Sequence, residues 1–124
     1  MTDEQHVVFD QARTMLRKFT PPMVVLKDEA GDFQVTTAKP AVIGERKMDS
    51  VWFAGLKATK SDVTLHFLPV YIDPKLGEQL PPLFMKTLKG KACFHLGKFS
   101  PELSLATEEA LTLGLEFYRA RGWL

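Results

Sequence analysis

The sequence predicts an α+β fold: a mostly antiparallel sheet of about five or six strands, with N- and C-terminal helices packed on one face. Near both ends of the chain, apolar residues recur at the three- and four-residue spacing of an amphipathic helix. Between them, short runs rich in Val, Leu and Phe alternate with polar turns, as strands joined by hairpins do. The 124 residues are 45% hydrophobic and 25% charged, so residues 1–124 are predicted to form one domain.

The first helix is predicted from its start signal. Thr2 followed by Gln5 fits a capping box, in which each side chain satisfies a backbone N–H that has no partner within the helix. The apolar face that follows is made of Val8, Phe9, Ala12, Met15, Leu16 and Phe19. A Thr-Pro-Pro stretch at residues 20–22 should end the helix, because proline lacks the N–H that a helix needs.

Two pairs of strands are predicted next. Residues 23–27 and 33–37 flank a polar turn with a glycine, which indicates a hairpin. Residues 51–58 and 63–72 flank a second polar tip and are predicted to be the two longest strands. Pro69 interrupts the last run, and since proline cannot donate to a ladder, we expect a bulge, an edge position or a strand end there.

The C-terminal half is predicted to return to helix. Residues 73–90 indicate short helical turns, with Pro74 following an Asp73 cap and a second turn that ends at Gly90. A short strand over residues 92–99 follows. Ser100 then caps a long amphipathic helix, and the glycine in its middle, Gly114, suggests a close approach to the sheet.

Composition excludes several function classes. Sixteen Lys and Arg against fifteen Asp and Glu give a net charge of +1, so no global field favours nucleic acid or anionic lipid, and neither is an expected partner. A single cysteine cannot form an internal disulfide. No apolar run approaches the roughly 20 residues of a membrane span, and the first residues do not resemble a secretion signal. The predicted location is the cytoplasm.

Cys93 and His95 are the first candidates for chemistry, because residues two apart on a strand share a face. A zinc site needs three or four protein ligands, and the other histidines, His6 and His66, lie on other elements. No metal site and no cofactor are therefore predicted. A thiol nucleophile would also need an orienting third group, which the spacing does not provide, so strand core or surface is the preferred interpretation.

Ligand binding is the other candidate role. Lysines cluster around the last strand, and Gly90 allows a ligand to come close to the backbone, although the spacing is not that of a phosphate-binding loop. A second surface is the uncovered sheet face around His66 and Tyr71. The candidate ligand-binding residues are His66, Tyr71, Lys89, Lys91, Cys93 and His95.

Three stretches carry a family resemblance: "VWFAGLKATKSDVTLHFLPVY", "LKGKACFHLGKF" and "FYRARGWL". Together they resemble the YdhG-like family of small bacterial domains of unknown function, over residues 51–124. The resemblance implies a compact α+β domain with helices on one side of the sheet. Some members of that family are described as frataxin-like iron chaperones, a role expected to need a ridge of carboxylates. The first helix mixes Asp3, Glu4 and Asp10 with Arg13, Arg17 and Lys18.

Three hypotheses about function follow. The leading one is a non-enzymatic binding or adaptor domain for a small anionic ligand or a protein partner. The second is a frataxin-like iron chaperone, and the third is an enzyme that uses Cys93 or His66. An exposed apolar patch on the sheet would favour the first hypothesis and would also predict a homodimer.

Overall fold

The computed structural model describes residues 1–124 and confirms the α+β class. Four α-helices are present: α1 (Asp3–Arg17), α2 (Leu68–Ile72), α3 (Pro82–Met85) and α4 (Pro101–Ala120). A 3₁₀ helix spans Pro74–Gln79. The strands are β1 (Val24–Glu29), β2 (Asp32–Thr36), β3 (Ala41–Ile43), β4 (Arg46–Met48), β5 (Trp52–Ala58), β6 (Val63–Phe67), β7 (Leu88–Lys89) and β8 (Cys93–His95). None of the helices combines the length and the apolar character needed to cross a membrane.

Six of the strands form one sheet in the order β1-β2-β5-β6-β8-β7, and all neighbours are antiparallel. The other two, β3 and β4, form a separate hairpin. The first hairpin, β1–β2, turns at Gly31, whose φ of 76° is a conformation that glycine adopts without strain. The edges of the sheet are therefore the six-residue β1 and the two-residue β7.

The capping box that the sequence predicts opens α1. The Thr2 hydroxyl accepts a hydrogen bond from the Gln5 backbone N–H, and the Gln5 side chain accepts one from the Thr2 N–H. The Gln5 amide also donates to the carbonyls of Thr59 and Asp62, at 2.7 and 3.0 Å. One buried side chain therefore starts the helix and fixes it to the β5–β6 turn.

All four α-helices reach the same face of the sheet. Phe53 of β5 packs edge-to-face on Tyr118 of α4, with ring centroids 5.2 Å apart, and Phe84 of α3 stacks on Phe94 of β8 at 4.1 Å. The predicted apolar face of α1 is buried in the same core. On this side the sheet contributes Phe33, Val35, Phe53, Ala54, Leu56, Val63, Leu65, Phe67 and Phe94. The opposite side, called here the open face, carries no helix.

Gly114 lies where α4 crosses β6. A Cβ at this position would lie 2.4 Å from Cζ of Phe67 and 3.2 Å from Cγ of Pro69. The close approach that the sequence suggests is therefore present, and it fixes the distance between helix and sheet.

Several predicted element bounds are wrong, and one hairpin was not predicted. The last strand, for example, spans Cys93–His95 instead of residues 92–99. The strand predicted over residues 63–72 ends at Phe67, just before Pro69, where a strand end was one of the expected outcomes. Residues Leu68–Ile72 are helical, because Pro69 suits the first turn of a helix and cannot pair in a ladder. With five residues, β6 is shorter than the six-residue β1, so the prediction of the two longest strands is wrong. The second short helix ends at Met85 instead of Gly90, and Leu88–Lys89 forms an edge strand. The β3–β4 hairpin was not predicted at all.

Candidate functional site

The predicted ligand-binding residues lie in two regions, which the β7–β8 turn joins. His66, Cys93 and His95 lie on the open face, and Lys89 pairs with Cys93 across β7 and β8. Tyr71 and Lys91 line a cleft at the edge of the sheet. The prediction that Tyr71 belongs to the uncovered sheet face is wrong, because Tyr71 is in α2.

On the open face, the thiol of Cys93 contacts a histidine, but that histidine is His66. The Cys93 Sγ and His66 Nδ1 atoms are 3.2 Å apart. The register makes this contact, because His66 of β6 lies directly opposite Cys93 of β8. Sequence spacing paired Cys93 with His95 and could not detect this cross-strand neighbour.

His95 has a different partner. Its Nδ1 atom lies 2.7 Å from Oδ2 of Asp62 in the β5–β6 turn, and Asp62 Oδ1 accepts from the Val63 backbone N–H. A Cβ on Gly97 would lie 2.8 Å from Asp62 Oδ1, so glycine leaves room for this carboxylate. Cys93 and His95 lie on one face, as predicted, but each contacts a different side chain.

The environment of His66 favours the neutral imidazole. Burial lowers the pKa of His66 below its usual value, and the neighbouring Lys57 and His95 lower this pKa further. A neutral imidazole can accept the thiol proton of Cys93 in a hydrogen bond.

The indole of Trp52 lies beside the Cys93–His66 pair. Its ring centroid is 6.4 Å from that of His66, and a Cβ on Gly55 would lie 2.7 Å from Cζ2 of the indole. The indole therefore lies over a glycine that has no side chain to displace it. Its Nε1 atom is buried without a hydrogen-bond partner, so packing holds the ring.

No cavity adjoins the open-face residues. None of the cavities is lined by His66, Cys93 or His95. The structure also contains no group of three or more His, Cys, Asp and Glu side chains that could hold a metal ion. The Cys93–His66 pair is therefore a thiol–imidazole contact without an adjoining cavity.

The cleft has a volume of about 550 Å³ and lies between α2, the 3₁₀ helix and the β7–β8 turn. It is lined by Val70, Tyr71, Pro74, Met85, Leu88, Gly90 and Lys91. Val70 is 5% exposed and forms part of the floor, whereas Tyr71 is 56% exposed at the rim. The volume is in the range of small-molecule sites.

One charged side chain lines the cleft, that of Lys91, and it forms no ion pair. The backbone N–H groups of Gly90 and Lys91 donate to no other group of the protein. Gly90 has a φ of 79°, which the turn requires. The β7–β8 turn therefore offers one ammonium and two backbone donors beside the cleft.

A larger groove, of about 760 Å³, runs between the start of α1 and residues 97–99. Its acidic residues already have structural roles. Asp3 and Glu4 lie in the first turn of α1, where they compensate the helix dipole, and Asp62 pairs with His95. The smaller cleft is the better candidate, since its lysine, Lys91, forms no ion pair and its exposed tyrosine, Tyr71, forms no hydrogen bond.

Comparison with known proteins gives no match to any family model, to any curated protein or to any solved structure. The resemblance to the YdhG-like family therefore stays a prediction.

Proposed function

We propose that this protein is a non-enzymatic binding domain that holds a small anionic ligand in the cleft between α2 and the β7–β8 turn. The observation that carries the proposal is the meeting of Tyr71 and Lys91 over one apolar floor. The two residues lie on different elements and are both exposed, Tyr71 at 56%. A large exposed aromatic side chain next to an unpaired cation is an arrangement that folding alone does not need.

The balance of charge supports an anion rather than a cation. Lys91 is the one charged residue that lines the cleft, and it forms no ion pair. No acidic side chain lines the cleft, and Asp73, which precedes Pro74, accepts a hydrogen bond from the Lys75 backbone N–H and caps the 3₁₀ helix. An anion would thus meet free positive charge at the rim.

Titration of the ¹⁵N-labelled protein with 8-anilinonaphthalene-1-sulfonate, an aromatic anion, tests the proposal by NMR. We expect amide shifts concentrated in residues 70–72 and 90–92, and weaker binding by Lys91→Met and Tyr71→Ala. Lys39→Met is the matched control, because Lys39 is exposed, forms no ion pair and lines no cavity. Shifts that avoid the cleft, or that Lys39→Met reduces as much as Lys91→Met, would contradict the proposal.

The alternative of an enzyme that uses Cys93 or His66 is supported by the 3.2 Å contact between the two side chains. It is weakened by the lack of a cavity beside them. The rate of alkylation of Cys93 by iodoacetamide, with and without His66→Gln, tests it. A rate that does not change would remove His66 as the base for this thiol.

The iron-chaperone alternative gains no support from the arrangement of side chains. Asp10 pairs with Arg13, and Asp28 of β1 pairs with Arg13 and Arg17, so carboxylates on this side of α1 are already matched by arginines. Titration with Fe²⁺ and Fe³⁺ tests this alternative, and binding at micromolar concentration would restore it.

One exposed apolar surface, on the edge strand β1, supports a homodimer. Val24, Val25 and Leu26 are consecutive on the free edge strand β1 and are 43%, 41% and 58% exposed. Charged Lys27, and a bulge between Val25 and Lys27, oppose pairing at this edge. Sedimentation equilibrium of the wild-type protein measures the result.

A further inference from the structure

We infer that the ligand of the cleft is a monoanion with an apolar body, such as an aromatic carboxylate, rather than a phosphate. This inference rests on the proposed function and names the chemical class of ligand that the site takes. It depends on which hydrogen-bond donors the cleft offers and on which are missing.

The missing donors are those that usually hold a phosphate. Phosphate sites commonly use the free N–H groups at the start of a helix. Here the 3₁₀ helix begins with Pro74, which has no N–H, and the next N–H, of Lys75, already donates to Asp73 Oδ1 at 3.1 Å. Helix α3 contributes only Met85, its last residue, to the lining, so its start does not face the cleft. The start of the 3₁₀ helix therefore offers no free N–H group to a phosphate.

The donors that remain are on the opposite side, in the β7–β8 turn. They are the ammonium of Lys91 and the backbone N–H groups of Gly90 and Lys91, which have no acceptor in the protein. No arginine lines the cleft. One cation and two N–H groups match the single charge and two oxygens of a carboxylate. A phosphate dianion would keep an unmatched charge and an unmatched oxygen beside an apolar wall.

The rest of the lining selects an apolar body. Val70, Met85 and Leu88 are hydrophobic, and Pro74 adds an apolar ring. Tyr71 is free to stack on a flat group, because more than half of its surface is exposed. Met85 is adaptable, since methionine is unbranched and fills irregular gaps. A planar hydrocarbon group would bury apolar surface of both the ligand and the cleft, and this burial is the main favourable contribution to the free energy of binding in such a cleft.

A matched set of probes tests the inference: phenylacetate, its neutral isostere phenylacetamide, phenyl phosphate and inorganic phosphate. Each is titrated into the ¹⁵N-labelled protein at constant ionic strength, and affinity is read from the amide shifts of residues 70–72 and 90–92. We expect phenylacetate to bind about fivefold more tightly than phenylacetamide, the order of effect of one partly exposed charged contact. Phenyl phosphate should bind no more tightly than phenylacetate, and inorganic phosphate should give no shifts at the cleft.

Two variants separate the two ends of the ligand. Lys91→Met should abolish the preference of the cleft for phenylacetate over phenylacetamide, because it removes the cation but keeps the length of the side chain. Tyr71→Ala should weaken both ligands equally, and Tyr71→Phe should keep the binding of both. Lys39→Met should change neither affinity.

The outcomes distinguish this inference from the proposed function. Tighter binding of phenyl phosphate, shifts with inorganic phosphate, or equal binding of the acid and the amide would overturn the carboxylate assignment and leave a ligand site in the cleft. If none of the probes, including 8-anilinonaphthalene-1-sulfonate, shifts the amides of the cleft, the proposed function itself falls.

Discussion

Replacing Gly114 with alanine tests the packing of α4 on the sheet. The added Cβ would lie 2.4 Å from Cζ and 2.9 Å from Cε1 of the Phe67 ring, both far inside normal contact distance. The ring cannot swing away, because Phe67 is fully buried and packs edge-to-face on Phe53, Phe84 and Phe94. Helix and sheet must therefore move apart, or the aromatic cluster must shift.

Two opposing terms set the magnitude for Gly114→Ala. Alanine gains about 1 kcal/mol over glycine in the interior of a helix. Overpacking a rigid core costs about 1–3 kcal/mol, and a contact this short belongs at the upper end. The net expectation is a loss of about 2 kcal/mol. With an unfolding entropy of roughly 2 cal/mol/K per residue, this corresponds to a fall in Tm of about 8 °C for a chain of 124 residues.

Urea denaturation and thermal melts followed by circular dichroism measure this effect. Thr112→Ala is the control in the same helix, where the side chain is exposed, and it should stabilise by a few tenths of a kcal/mol. Combining Gly114→Ala with Phe67→Leu should cost less than the sum of the two single changes, since the smaller side chain relieves the clash. A Gly114→Ala variant as stable as the wild type would show that α4 does not approach β6 this closely.

Three further predictions concern polar groups that are buried or half-buried. Gln5→Ala should lower the free energy of unfolding by about 2 kcal/mol in denaturant titrations. The change removes the cap of α1 and the hydrogen bonds of Gln5 to the β5–β6 turn. The control Gln11→Ala, at an exposed position of the same helix, should change this free energy little. Burial raises the pKa of Tyr118 far above its usual value. In the Tyr71→Phe variant Tyr118 is the remaining tyrosine, so the absorbance at 295 nm that follows tyrosine ionisation should rise only when alkali unfolds the protein. Because the folded-state pKa of His66 is lowered, the stability that this group contributes is present above about pH 6.5 and is lost as pH falls through the folded value. Wild-type protein should therefore lose more stability than His66→Gln between about pH 7 and 5. Equal losses would show that folding does not lower the pKa of His66.

The parts of the fold that the sequence predicts well are those set by local chemistry. The capping box of Thr2 and Gln5 and the cap at Ser100 depend on residues within one helical turn, and both are present. The period of the apolar residues gives the buried face of α1, whereas in α4 three of the apolar residues at this spacing, Leu113, Leu115 and Phe117, are only half-buried. Gly114 was informative because a mid-helix glycine is unfavourable unless something comes close to it.

The errors occur where local preference and tertiary context compete. Residues 63–72 form one apolar run, and periodicity cannot show where a strand becomes a buried helical turn. The change of structure at Leu68 follows from Pro69 together with the packing of α2 on β5 and α4. Strands of two or three residues, such as Leu88–Lys89, carry too few residues for a pattern to be detected.

Only part of the side-chain arrangement on the open face could be predicted from the sequence. Cys93 and His95 share a face, as strand geometry requires, but their hydrogen-bond partners come from other strands and turns. His66 is separated from Cys93 by 27 positions, and only the register of β6 with β8 brings them together. A single sequence does not specify register between strands that are not joined by a short hairpin.

The cleft follows from the same proline that made residues 63–72 hard to interpret. By ending β6, Pro69 lets the chain turn into α2, which buries Val70 in the floor and leaves Tyr71 at the rim. The opposite wall exists because β7 is only two residues long and its turn places Lys91 beside that helix. Each residue that lines the cleft is of a type common at its position, so no sequence motif indicates the site. The capacity for binding is a property of where the strand stops, and it can be recognised only once the edge of the sheet is known.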